Sequence, residues 1–182
     1  INENEIIGLL GPNGCGKTTT IGMILGLLKP TSGKVLINGL DIEKNKISIL
    51  HKMNFISPYI ELPKKLTVRQ NLIVYGKLYN IQNLNDQIKY LSNKLRLDTL
   101  LDKITGELSS GQKNRVSLAK ALINNPTVLL LDEPTASLDP ETGDFIRTFL
   151  ENYKKEKRIS VLLASHNMDE VKRLCSSVLM MK

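Results

Sequence analysis

Residues 11–20 read GPNGCGKTTT and fit G-x-x-x-x-G-K-[ST], with Gly11, Gly16, Lys17 and Thr18 at the fixed positions. Ahead of them EIIGLL is a short apolar run suited to a buried strand. Behind them Ile21, Ile24, Leu25 and Leu28 recur at i, i+3, i+4 and i+7, one face of a helix. A glycine-rich turn between a buried strand and a helix opens an alternation of strand and helix patterns that runs along the chain. That alternation argues for an α/β fold, a largely parallel sheet flanked by helices. Glycines let the turn curl tightly and bring backbone N–H groups close to phosphate oxygens. The helix start adds a favourable partial positive charge. Lys17 can reach β- and γ-phosphates, and the Thr18 hydroxyl can bind Mg²⁺. The candidate nucleotide loop is therefore Gly11, Pro12, Asn13, Gly14, Cys15, Gly16, Lys17, Thr18 and Thr19.

A length of 182 residues fits one domain with a sizeable core. The chain does not begin with Met, and it ends on the apolar run SSVLMMK, so it reads as a piece of a longer polypeptide. No stretch approaches ~18 consecutive apolar residues, the length a membrane span needs. Cys15 and Cys175 make neither a disulfide framework nor a zinc site, which fits a reducing, cytosolic setting. Net charge is +7, but aromatics are only 4 % and leave little material for base stacking. The basic excess is read as a solvated surface, and no nucleic-acid partner is expected.

KPTSG is a turn, KVLIN a short strand, and Asn38–Gly39 a hairpin signal. ISIL ends a short helix and MNFI is a strand. From about Thr67 to Ile104 only helical spacing is present, as in Leu72, Tyr75, Tyr79 and Ile88, Leu91, Leu95. The core then resumes with a helix over about 112–123, and the helical subdomain is placed at about 67–123. VLLLD and ISVLLA are buried strands, separated by a helix that carries Ile146, Phe149, Leu150 and Tyr153. A short helix starts near Met168.

VLLLDEP puts Asp132 and Glu133 where a buried strand ends, the place where ligands bind in parallel sheets. Asp132 is positioned to hold Mg²⁺ through water. Glu133 can face an attacking water and accept its proton. In ELSSGQKNRVSLAKAL, Ser109 occupies an N-cap position, with Gly111 and Gln112 opening the helix. This is a second anion-binding helix start. One chain cannot easily aim two helix starts at one γ-phosphate, whereas two chains can.

GPNGCGKTT, LSSGQ, VLLLDEPTASLDP and LLASH, in that order, resemble the ATP-binding domain of an ABC transporter over nearly the whole chain. LTVRQNLIVYGKLY and LLASHNMDEVKRLC resemble most the ATPase subunits of bacterial drug, lipid and polysaccharide exporters. The family resemblance implies a P-loop NTPase with a helical subdomain inserted between phosphate loop and signature, and ATP hydrolysis with Mg²⁺. It also implies a head-to-tail partner domain, an integral membrane permease, and a place on the cytoplasmic face of the membrane. By the same resemblance Ser109, Gly111 and Gln112 would contact the γ-phosphate bound by the other subunit. Asp139 would lie across the interface, and His166 would hydrogen-bond the γ-phosphate and steady the water. Thr18 and Asp132 would hold the metal.

The chain departs from the pattern in two places. Family members usually carry a metal-touching glutamine after the strand matching MNFI; here the place falls at Ser57 or Pro58. Ser57 is expected to take part of that role. The signature reads LSSGQ, with Ser110 where glycine is usual. Cys15 lies inside the phosphate loop, so a thiol alkylator is expected to block ATP binding and ATP to protect. Competing readings are a soluble ABC ATPase acting on ribosomes or DNA, an importer ATPase, and a subunit that binds ATP without turnover. The compact insert and the lack of CxxC pairs argue against the DNA-repair members.

Overall fold

The computed structural model describes residues 1–12, 14–58 and 60–182. Five strands form one sheet: β1 (Ile6–Leu10), β4 (Met53–Ile56), β5 (Val128–Asp132), β6 (Ser160–Ala164) and β7 (Ser177–Met180). Their order is β4-β5-β6-β1-β7, and every pairing is parallel. β2 (Leu36–Ile37) and β3 (Leu40–Asp41) form a separate two-residue antiparallel hairpin across Asn38–Gly39.

The apolar strand runs are continuous because both sheet faces are covered. Successive side chains still alternate between two cores. Ile6, Leu129, Leu131, Val161 and Leu163 pack with Val116 of α5 (Ser110–Leu122) and Ile146 of α6 (Pro140–Lys157). Ile7, Leu9, Leu130, Leu162 and Ala164 pack with Ile21 of α1 (Lys17–Ile24) and Ile49 of α2 (Lys46–Leu50). α7 (Met168–Leu174) lies beside α6.

Two helices, α3 (Val68–Leu78) and α4 (Leu84–Lys94), and 3₁₀ turns at Asp98–Leu100 and Thr105–Glu107 fill the stretch that reads as helical. Leu72, Leu91, Leu95 and Leu97 are fully buried and share a core with Val116 and Leu118 of α5. Thr67 and Ser109 each open their helix with a capping box, closed by Gln70 and Gln112 respectively. That cap starts α5 at Ser110, two residues ahead of the expected Gln112.

The expected α1 face needs a correction. The helix stops at Ile24, because Gly26 turns left-handed at φ 63° and the Leu27 and Leu28 N–H groups both return to the Gly22 carbonyl. Leu28 is therefore beyond the helix, folded back against Gly22 and 49 % exposed.

Candidate active site

β5, β6 and β1 are neighbours in the sheet, so the loops leaving their carboxyl ends converge. The loop after β1 carries Gly14 at φ 85° and Gly16 at φ 100°, conformations open to glycine. Gly11 is also confined: a Cβ there would meet Cys15 Sγ at 2.5 Å and the Met181 carbonyl at 2.8 Å. Lys17 is buried, and its Nζ donates to the carbonyls of Gly11 at 2.7 Å and Pro12 at 3.1 Å. Its charge thus stays at the loop mouth. Asn13 lies outside the described residues.

A cavity of about 410 Å³ is lined by Gly14, Gly16, Lys17, Thr18, Thr19, Asp132 and Glu133. Asp132 ends β5 and is only 3 % exposed. Burial, and then the neighbouring Glu133, push its carboxyl above the usual range, against hydrogen bonds from Ser57 and Thr18 and the charge of Lys17. The Ser57 hydroxyl is 3.5 Å from Asp132 Oδ2, so this serine faces the carboxylate.

Glu133 has φ 51°, and its N–H donates to the Ala164 carbonyl at 2.8 Å, so the chain turns sharply as it leaves β5. The turn aims the side chain at the loop after β6. Glu133 Oε1 accepts the His166 N–H at 3.1 Å and lies 2.7 Å from His166 Nδ1. The His166 side chain is 68 % exposed. The pair spans 33 residues of sequence, and no local pattern announces it.

Ser109, Gly111, Gln112 and Asp139 do not line this cavity. Ser109 Oγ accepts the Gln112 N–H at 3.3 Å, and Gln112 Oε1 accepts the Ser109 N–H at 3.0 Å. Gly111 is buried against Thr142, whose N–H donates to Asp139 Oδ1 at 2.9 Å. That backbone bond holds the Asp139 carboxyl below its usual range. The same aspartate caps α6.

Among the described residues no group of three or more His, Cys, Asp or Glu could hold a metal by itself. Mg²⁺ fits the chemistry of the donors there, one carboxylate and one hydroxyl, both hard oxygen ligands. Thr18 and Asp132 are the residues that could hold it. Residues that sequence reasoning passed over are Asn114, whose Nδ2 donates to the Pro134 carbonyl at 2.7 Å, and the Thr135–Glu170–Ser165 set described below.

The family model described as ABC transporter matches residues 1–136. The chain belongs to the ABC transporter ATP-binding family. It is 34 % identical to the ABC transporter ATP-binding protein NatA of Bacillus subtilis, over 99 % of this chain and 74 % of that protein. It is 38 % identical to the bacitracin transport ATP-binding protein BcrA of Bacillus licheniformis, over 98 % of this chain and 58 % of that one. A dimeric bacterial ABC transporter cassette superposes with TM-score 0.89 at 26 % identity, over all of this chain and 83 % of its own. The same cassette has been solved in a post-hydrolysis state bound to ADP and Pi. The ABC ATPase fold is thus shared across the whole of this chain, which spans between 58 % and 74 % of the two curated relatives.

Proposed function

We propose that this chain hydrolyses ATP as the motor subunit of an ABC transporter, with Lys17, Thr18, Asp132, Glu133 and His166 as its own half of the site. The observation that carries the reading is the convergence of those five residues at the carboxyl ends of three adjacent parallel strands. The loop N–H groups and Lys17 would hold the phosphates. Glu133 would take a proton from water as the water oxygen attacks the γ-phosphorus and the bond to the β-phosphate oxygen breaks. His166 would hold Glu133 and reach the γ-phosphate from the exposed side. Thr18 and Asp132 would hold Mg²⁺, which supplies charge neutralisation on the phosphate oxygens. The name of one relative, a Nod factor export ATP-binding protein, favours an exporter, and that of another, a bacitracin transport ATP-binding protein, favours transport.

Among the described residues no helix is long and apolar enough to cross a membrane. The motor would act from the cytoplasmic face on an integral membrane permease, either a subunit of its own or a domain of the same polypeptide. Ser109, Gly111, Gln112 and Asp139 would complete the site of a second, head-to-tail copy. The test is to add MgATP to the Glu133→Gln complete polypeptide in its own host and identify what co-purifies from detergent-solubilised membranes. A multi-span membrane protein is expected. Ribosomes or DNA with no membrane partner would overturn the transport reading.

A further inference from the structure

Glu170 stands one turn into α7 and is 1 % exposed. Its two oxygens go to two different loops. Oε1 accepts the Thr135 hydroxyl at 2.8 Å, and Oε2 accepts the Ser165 hydroxyl at 2.6 Å. Thr135 lies within the turn closed by the Ala136 N–H on the Glu133 carbonyl. Ser165 directly precedes His166, is fully buried, and accepts the Asn167 N–H at 3.1 Å. The loop after β5 and the loop after β6 therefore meet twice. One meeting is at the surface, through Glu133 and His166; the other is beneath it, through Glu170.

The helix that carries this brace is itself anchored. Arg173 of α7 donates to Glu151 Oε1 at 2.8 Å and Thr148 Oγ1 at 2.7 Å, and also to Asp144, all three on α6. A carboxylate placed in a core is costly unless its oxygens are hydrogen-bonded. Here both oxygens are used, and both on the flanks of the candidate catalytic pair.

We infer that Glu170 is a positioning residue for hydrolysis. It sets the separation of the two loops that carry Glu133 and His166, and so the aim of the carboxylate that would activate water. It lines no part of the phosphate cavity. The inference rests on the proposed roles of Glu133 and His166. Misplacing a reacting group by about 1 Å can cost on the order of 10²-fold in rate. The phosphate grip sits on the loop after β1 and on α1, and the Glu170 oxygens bond instead to Thr135 and Ser165. Turnover and nucleotide binding should therefore separate.

Steady-state ATPase kinetics and fluorescent-nucleotide binding on the complete polypeptide test this with Glu170→Ala, Glu170→Gln and Thr135→Val. Glu170→Ala should lower kcat by about tenfold or more with KM and nucleotide affinity unchanged. Glu170→Gln, which keeps an acceptor and the side-chain volume, should recover part of the loss. Where Glu170→Ala fails to fold, Thr135→Val removes one hydroxyl from a half-buried position, and a several-fold fall in kcat at constant KM is expected. A folded Glu170→Ala with kcat within about twofold of the parent would overturn the role, as would a loss confined to KM. Glu133→Gln and His166→Ala run alongside. If both keep full turnover, the roles of that pair fail, and the brace with them. If both lose turnover while Glu170→Ala and Thr135→Val do not, only the brace fails.

Discussion

Asp132 shows at the scale of one residue how function and stability oppose each other. Burial and Glu133 hold its carboxyl above the usual range in the fold. Between the unfolded and folded pKa values the native state binds more protons than the unfolded chain, so stability falls as pH rises through that window and stays lower above it. In metal-free, nucleotide-free protein, Asp132→Asn should therefore raise Tm near neutral pH. The gain should vanish once the solution is acid enough to protonate Asp132 in both states; thermal unfolding at two pH values measures it. Ser57 works in the other direction. Its hydroxyl faces Asp132 Oδ2 at 3.5 Å and favours the charged carboxylate. The metal role proposed for Asp132 needs a deprotonated carboxyl, so Ser57→Ala should raise the Mg²⁺ concentration needed for half-maximal turnover, by up to about tenfold. The increase should be larger in acid than in base. An Mg²⁺ titration that does not move, together with unchanged stimulation by the proposed permease, would leave Ser57 without the role expected of it.

Elements of this fold are joined by single polar side chains, and Asn71 is the clearest case. It is fully buried in α3, and its Nδ2 donates to Pro63 O, Thr67 O and Thr105 Oγ1 at 2.9 to 3.1 Å. One amide thus ties the segment leaving Ser57, the start of α3 and the 3₁₀ turn before the signature. Asn71→Ala removes these bonds, but Thr67 O and Pro63 O keep the Asn71 and Leu66 N–H groups and the buried, unpartnered Asn71 Oδ1 goes too, so the change should cost about 0.5–1.5 kcal/mol. For a domain of this size each kcal/mol lowers Tm by roughly 2–4 °C, which calorimetry can read. The Asn71 link was not legible in the sequence, because an asparagine among helical residues has no spacing that names its partners. Strand cores were legible for the opposite reason. VLLLD and SVLLA are apolar throughout, and only strands covered on both faces need that. Helix ends were legible only in part: Ser109 carried a cap signal, but the left-handed Gly26 that stops α1 was overrun by apolar spacing continuing to Leu28. That the loop after β1 and the Asp132–Glu133 pair lie together was likewise legible, since each is a contiguous string and both line one cavity. Glu170 was not. It stands three residues after the Asn167 cap, where a glutamate ordinarily reaches back to the cap backbone, and here it reaches Thr135 and Ser165 instead.

At the scale of the whole molecule, the chain presents two anion-attracting helix starts that do not serve the same cavity. α1 begins at the phosphate loop, and α5 begins at Ser109, which with Gly111 and Gln112 stays outside the cavity lining. Asp139 caps α6 beside Gly111 through Thr142, so the signature and the start of α6 form one continuous surface. A second copy turned head-to-tail would bring that surface over the phosphates held by the first. Closure would then need nucleotide in place and would reopen when the γ-phosphate leaves. In the Glu133→Gln polypeptide, MgATP should convert monomer to dimer, a doubling of mass by light scattering. Adding Ser109→Arg should leave ATP binding intact and keep the mass single, because the bulky cation replaces a small cap at the contact. Losing the Ser109 cap costs about 1 kcal/mol, so a Tm measurement separates a blocked interface from an unfolded helix. A folded Ser109→Arg protein that still dimerises with MgATP would place the contact elsewhere, and α5 would then be a helix that supports the core and nothing more.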